Sequence, residues 1–314
     1  MIHLLINMKF DLIGDIHGHA DKLEEILTLL GYVKKEGVYQ HPEQRTLVFL
    51  GDYIDRGPKI RETLHLVKDM CDAGHALAIM GNHEFNAICF HTKDTVNGGF
   101  YRKHSIVEID QHIETLRQFR NYQEEWEEVF LPWFHRLPLY IDRPEFRAVH
   151  ACWDEDQINW LAENNIYETI HGQKRIAQNV LADYARKKSP VYDVLEELLK
   201  GKEFDLPEGQ GFVDKDGTKR QRARVKWFQP VEQRQLHKDV FLGIGEDFGN
   251  LVLNEEIHAA LHRYEGETSV FFGHYWLKGK PTDPFAKSIC LDYSVAKDGH
   301  LVAYRLDSKE FVIV

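Results

Sequence analysis

An apolar run, a turn holding glycine with charged or imidazole side chains, and then an amphipathic stretch recur three times in the first third of this chain. Phe10-Asp11-Leu12-Ile13 precedes Gly14-Asp15-Ile16-His17-Gly18. Thr46 to Leu50 precedes Gly51-Asp52-Tyr53-Ile54-Asp55-Arg56-Gly57-Pro58, and Ala76 to Met80 precedes Gly81-Asn82-His83-Glu84. Short apolar runs bounded by such turns predict buried strands. The segments that follow predict helices, since Leu23, Ile26, Leu27 and Leu30 fall at helical spacing before Gly31. Ile60, Leu64, Val67 and Met70 or Cys71 repeat that spacing after Pro58, a residue favoured near a helix start. Strand, turn and helix in alternation make an α/β chain, and its charged turns belong at the carboxyl ends of the strands, where open sheets expose their chemistry.

A single Asp after a strand is ordinarily a helix cap. Three such turns in series, two of them with His, exceed what capping accounts for. Asp15 and His17 are two apart, so an extended turn points both the same way, and that pair suits a borderline divalent metal. Asp55 with Arg56, taken alone, reads equally as a salt bridge inside a turn.

Together the three turns resemble the signature of calcineurin-like metallophosphoesterases of the phosphoprotein phosphatase type, a family with serine/threonine phosphatases and symmetrical diadenosine tetraphosphatases among its members. Its pattern has two later histidines at strand ends, and Phe146-Arg147-Ala148-Val149-His150 and Ser269-Val270-Phe271-Phe272-Gly273-His274 supply them. The resemblance implies an α/β sandwich of mixed sheets flanked by helices. The motifs are scattered from Asp15 to His274, which argues for one domain over 1–314, with helical insertions at about 92–137 and 155–206.

By the same resemblance, Asp15 and His17 go to one divalent metal ion, Asp52 bridges, and Asn82, His150 and His274 go to a second. Two close cations repel, so a shared carboxylate between them is physically required. Manganese is the foremost expectation, with iron or zinc as alternatives, because Asp, Asn and His do not discriminate sharply among them. His83 is then the catalytic acid, with Asp55 hydrogen-bonded behind it, and Glu84 a helix-start or supporting residue rather than a ligand. Arg56 binds phosphate, and Arg224, three residues before Trp227, is the expected second phosphate clamp, with Arg222 and Lys226 as rivals. The implied reaction is hydrolysis of a phosphate monoester, phosphoprotein included, by a bridging hydroxide. Diadenosine tetraphosphate or another nucleotide polyphosphate is the alternative substrate, with Trp153, Trp227, Tyr275 and Trp276 as stacking candidates. A non-catalytic metal-binding interaction module is disfavoured, because neither the ligands nor His83 are lost.

Composition narrows the partners. A net charge of -11 opposes general attraction to duplex nucleic acid or anionic membranes. No run approaches the roughly 20 apolar residues of a membrane span. Cys71, Cys89, Cys152 and Cys290 form no CxxC pair, so buried free thiols and a cytoplasmic location are expected. Met1 to Asn7 is apolar but lacks a basic leader, and Met8 is an alternative start.

Among 18 histidines, His91, His104, His112 and His135 read as surface or core residues. The aromatics from Phe119 to Phe134 are expected to pack on the core rather than form a lid, and Trp153 is expected to be a core anchor. Glu155 to Leu206 reads as mainly helical, Lys215 to Thr218 as a hairpin turn, and Lys287 to Leu291, Leu301 to Arg305 and Phe311 to Val314 as strands of a second sheet. Asp292 is read as structural.

Overall fold

A computed structural model describes residues 8–206, 211–213, 219–229, 241–242, 264–281 and 287–314. The expected turn at Lys215 to Thr218 and the segment before Met8 lie outside these residues.

The three repeating units fold as their patterns require: β1 (Phe10–Ile13) leads to α1 (Ala20–Leu29), and after the small hairpin β2 (Val33–Lys35) and β3 (Val38–Gln40), β4 (Thr46–Phe49) leads to α2 (Ile60–Asp72). β5 (Ala76–Ala78) leads to α3 (Asn82–His91). The third turn is shorter than the sequence predicts, because Asn82, His83 and Glu84 already form the first turn of α3. Glu84 and Asp52 are the cause: the Glu84 carboxylate reaches back to the Gly81 amide, and Asp52 Oδ1 accepts the His83 amide at 3.0 Å.

α4 (Ile106–Gln118) follows, then an aromatic stretch of α5 (Gln123–Glu125), a π-helical turn at Trp126–Phe130 and α6 (Leu131–Phe134). Phe119, Trp126, Phe130, Trp133 and Phe134 are all buried. β6 (Tyr140–Asp142) and β7 (Arg147–Val149) precede α7 (Glu155–Glu163), the hairpin β8 (Tyr167–Ile170) and β9 (Gln173–Ile176), α8 (Gln178–Ala185) and α9 (Pro190–Lys200). The segment read as mainly helical therefore contains a hairpin, whose tip His171-Gly172 has both φ angles positive, the geometry of a tight two-residue turn.

The short strands β10 (Glu203–Asp205), β11 (Phe212–Val213), β12 (Lys219–Arg220), β13 (Arg222–Val225) and β14 (Phe241–Leu242) come next. β15 (Val270–Phe272), β16 (Ser288–Cys290), β17 (Asp292–Tyr293), β18 (His300–Arg305) and β19 (Glu310–Ile313) complete the described elements.

One mixed sheet has the order β17-β18-β1-β4-β5, with β19 on β18; the other runs β16-β15-β7-β6. Strands β1, β4 and β5 are parallel, as are β7, β15 and β16, whereas β18 and β6 run antiparallel to their neighbours. The tail thus corrects the sequence expectation: β16 joins the second sheet, but β18 and β19 extend the first. Period-two alternation sets the layers. Phe10, Leu12, Val48 and Ile79 meet Phe146, Ala148, Phe271 and Ile289 between the sheets. Ile13, Leu47 and Phe49 face the apolar stripes of α1 and α2, and the far side of the second sheet is covered by residues such as Leu195, Leu198 and Trp227. Burying such a side chain stabilises by roughly 1.5–3 kcal/mol each, so the sandwich fixes where its strands end.

Candidate active site

Five parallel strands deliver their carboxyl ends to one place: β1 brings Asp15 and His17, β4 brings Asp52, β5 brings Asn82, β7 brings His150 and β15 brings His274. Asp15, His17, Asp52, Asn82 and His150 are all buried. Imidazole orientation is fixed by the atom each ring uses elsewhere. His17 Nδ1 donates to the Ile54 carbonyl at 2.9 Å, leaving Nε2 turned to Asp52 Oδ2 at 3.5 Å. His150 Nδ1 donates to the Leu50 carbonyl at 2.8 Å, leaving Nε2 at 3.1 Å from Asn82 Oδ1 and 3.4 Å from Asp52 Oδ1. His274 Nδ1 lies 2.8 Å from the same Asn82 oxygen, and its amide donates to Asp15 Oδ2 at 3.0 Å.

Two groups of potential ligands result, His17 with Asp52 and His83, and Asp52 with His150 and His274, each with its ligand atoms within 4.8 Å of one another. Asp52 is common to both. Asp15 lies outside the tighter first group, where His83 takes its place, yet Asp15 Oδ1, His17 Nε2 and His274 Nε2 are buried with no hydrogen-bond partner. Buried polar atoms are ordinarily satisfied, so three orphans around a shared carboxylate fit the demands of divalent cations.

The backbone here is unusual. His17, Asp52, Asp55, Arg56, His274 and Trp276 all have φ between 45° and 70°, a left-handed region that costs energy in residues with a Cβ. Close approach demands glycine at Gly51, whose φ is 95° and where an added Cβ would lie 2.6 Å from Gly81. Glu84 stabilises the arrangement, since Oε2 accepts from the Asp52 and Gly81 amides and Oε1 from those of Tyr53 and Ile54. It is a backbone anchor, as its position in the sequence implies.

His83 sits beside the cluster with Nδ1 bonded to Asp55 Oδ2 at 2.5 Å and Nε2 3.9 Å from Asp52 Oδ2. Asp55 and Arg56 do not pair with each other: Arg56 Nη2 approaches His83 Nε2 at 3.5 Å, and its guanidinium lies 4.3 Å over the Trp276 ring. Arg224 pairs with Glu203 at 3.6 Å, and its charge acts on His274. Arg222 is turned outward to Asp205 at 2.9 Å. Of the four aromatic stacking candidates, Trp153, Trp227 and Tyr275 are fully buried and serve the core; Trp276 alone is half-buried at the site. Asp292 accepts amides from Trp276 and Ser294 and holds those loops.

Residues 8–275 match the family model described as calcineurin-like phosphoesterase. The chain belongs to that family. Curated members similar to it include the bis(5'-nucleosyl)-tetraphosphatase PrpE [asymmetrical] of Halalkalibacterium halodurans, 35% identical over 160 residues, and that of Bacillus subtilis, 43% identical over 154. Each match covers 48% of this chain and 60% of the relative. A protein serine/threonine phosphatase from Saccharomyces cerevisiae, with similarity to human phosphatase PP5, aligns over 99% of this chain and 80% of its own at 15% identity and a TM-score of 0.48.

Within this calcineurin-like phosphoesterase, burial and the neighbouring His83 depress the pKa of His17 to about 3. Burial also opposes a charged His150, but the Asp52 and Asp15 carboxylates outweigh it and lift His150 to about 10. Asp15 is raised, by burial and then by the Asp292 carboxylate. For Asp55, burial is overcome by His112 and His83, which hold it well below the usual carboxylate range.

His112, expected to be a surface or core histidine, is a core residue that also touches the site. It is buried, and its Nδ1 lies 2.7 Å from Asp55 Oδ1, which also accepts the Thr115 hydroxyl at 2.5 Å. Gln118, one further turn along α4, accepts from the Ile60 amide at 2.6 Å and donates to the Gly57 carbonyl at 3.0 Å. The available signal was the 112–115–118 spacing of polar residues on one helix face.

Proposed function

We propose that the chain hydrolyses phosphate ester or anhydride bonds with two divalent metal ions, held by Asp15, His17 and Asp52 on one side and by Asp52, Asn82, His150 and His274 on the other. The observation that carries this reading is the sharing of Asp52 by both ligand groups, ringed by buried ligand atoms without partners. Such ions, manganese first and iron or zinc next, supply polarisation of the phosphoryl group and a nucleophile derived from water. The side chains do the rest. His83, oriented by Asp55, turns Nε2 to the cluster and delivers a proton to the leaving oxygen. Arg56 takes the non-bridging oxygens through its planar fork, and Arg224 supplies a further positive charge.

As to substrate, the names of the curated relatives favour a nucleotide polyphosphate over a phosphoprotein or other monoester. Trp276 is covered by Arg56 at 4.3 Å and Lys297 at 3.9 Å, so what it brings to a polyphosphate is two cations held at the site. We take the chain as one domain over 1–314, with insertions at about 92–137 and 155–206, acting in the cytoplasm. Among the described residues no helix is long and apolar enough to cross a membrane.

The test is hydrolysis of diadenosine tetraphosphate, a phosphopeptide and p-nitrophenyl phosphate by metal-stripped protein resupplied with manganese. The dinucleotide is expected to turn over at the lowest concentration. His83→Asn is expected to lose about 10²–10⁴ in rate on substrates whose leaving group needs a proton. No metal-dependent turnover on any of the three refutes the hydrolase reading.

A further inference from the structure

Helix α4 buries polar side chains most deeply and leaves its apolar ones, Ile109 and Leu116 included, only partly covered or exposed. Its buried residues are His112 and Thr115, both polar, whereas Ile106, Val107 and Ile113 are exposed. An amphipathic helix normally turns an apolar stripe inward, and burying polar groups costs energy unless each is bonded. Both are bonded, and both bonds converge on Asp55 Oδ1. Asp55 replies by donating its own amide to Thr115 Oγ1 at 3.1 Å. On the far side of His112, Nε2 meets His91 Nε2 at 3.2 Å. His112 Nδ1 faces a carboxylate and therefore donates to it, so a line of ring contacts runs from His91 through His112 to Asp55. Gln118 ties the next backbone turn, at Gly57 and Ile60, to the same helix.

We infer that α4 is a brace for the leaving-group acid, in which His112 and Thr115 are positioning residues: by filling Asp55 Oδ1 they leave Oδ2 alone to hold His83 Nδ1–H and aim Nε2 at the departing oxygen. This rests on the hydrolase reading above. Asp55 and Arg56 both have left-handed φ, 66° and 70°, and the brace provides the contacts that keep such a turn in place.

Leaving-group chemistry separates positioning from mere stability. p-Nitrophenolate departs without a proton, whereas the alkoxide of glycerol 2-phosphate does not. In the manganese-loaded protein, Thr115→Val and His112→Leu are expected to slow glycerol 2-phosphate about tenfold more than p-nitrophenyl phosphate, a fraction of the full worth of a general acid. His112→Asn, which keeps a donor near the Nδ1 position, restores much of that difference. In metal-free protein, the downfield proton resonance of the short His83–Asp55 bond is expected to move in Thr115→Val. Equal slowing of both substrates, or of neither, overturns the inference. If no metal-dependent turnover exists at all, the hydrolase reading fails separately, and the brace is decided by the resonance: displacement supports it and an unmoved signal refutes it.

Discussion

Removing the Glu84 carboxylate should be among the most damaging single changes in this protein, although by our reading Glu84 binds no metal and moves no proton. The residue is fully buried, and its two oxygens accept four backbone amides: Asp52 at 2.9 Å, Tyr53 at 2.8 Å, Gly81 at 3.0 Å and Ile54 at 3.3 Å. Glu84→Ala strands these donors. At about 1–3 kcal/mol for each buried donor left unpaired, the three shorter bonds set a range of about 3–9 kcal/mol, and water entering the vacated space brings the expectation to about 4 kcal/mol. Glu84→Gln retains one accepting oxygen but sets an NH₂ against the other pair of amides, for an expected loss of about 2–4 kcal/mol. Urea unfolding of the metal-free protein measures both without the contribution of metal binding. With an m-value of about 3 kcal/mol/M, the Ala variant should unfold about 1.3 M earlier. A midpoint within about 0.3 M of the parent would refute the reasoning, because the four amides would then have been satisfied at no cost.

Metal uptake should be coupled to protons. His150 is lifted to about 10 in the metal-free protein and must be neutral to act as a ligand, so manganese binding at pH 7 should release protons into a weakly buffered indicator solution and tighten as pH rises. Binding without proton release would contradict the role of His150. Glu197 gives a second pH effect: burial, with Asp154 beside it and Lys202 only partly compensating, raises its pKa to about 7. The folded state then keeps a proton that the unfolded chain gives up at about pH 4.5, so this residue's contribution to stability falls as pH rises from about 4.5 to 7 and is level above. Glu197→Gln should therefore be more stable than the parent at pH 8 and close to it at pH 5; equal differences at the two pH values would exclude the linkage.

The sequence was most informative where one physical pattern served both fold and site. In β1, β4 and β5 an apolar run must be a buried strand, and the polar residues that end it must be at the sheet edge, so Asp15, His17, Asp52 and Asn82 could be placed together before any packing was known. His150 and His274 lack that local signal and came from the resemblance, because nothing in spacing brings a residue near 150 to one near 274. Strand pairing in the tail was also out of reach: the continuous apolar run Leu301 to Tyr304 specifies a strand buried on both faces but not whether the neighbour is β1 or β16. The hairpin at 167–176 did carry a cue, the glycine at its tip.

What the sequence concealed most completely is the conformation that makes the site. Only glycine announces a positive φ, yet six residues with side chains hold one here, and neighbours distant in sequence constrain them. Asp52 is tied through Glu84, 32 residues on; Asp55 through Thr115 and His112, some 60 residues on; and Trp276 through Asp292. Each tie ends on a polar residue with no apolar period of its own, and periodicity is blind to such residues. The same fact explains why α4 looked like an ordinary insertion. Ile106, Val107 and Ile113 are exposed and Ile109 and Leu116 only partly covered, so its apolar residues mark no single face, while the two side chains it buries are polar. Where a helix buries polar residues and exposes apolar ones, the partner to look for is a functional group that needs holding, and here that partner is the carboxylate behind His83.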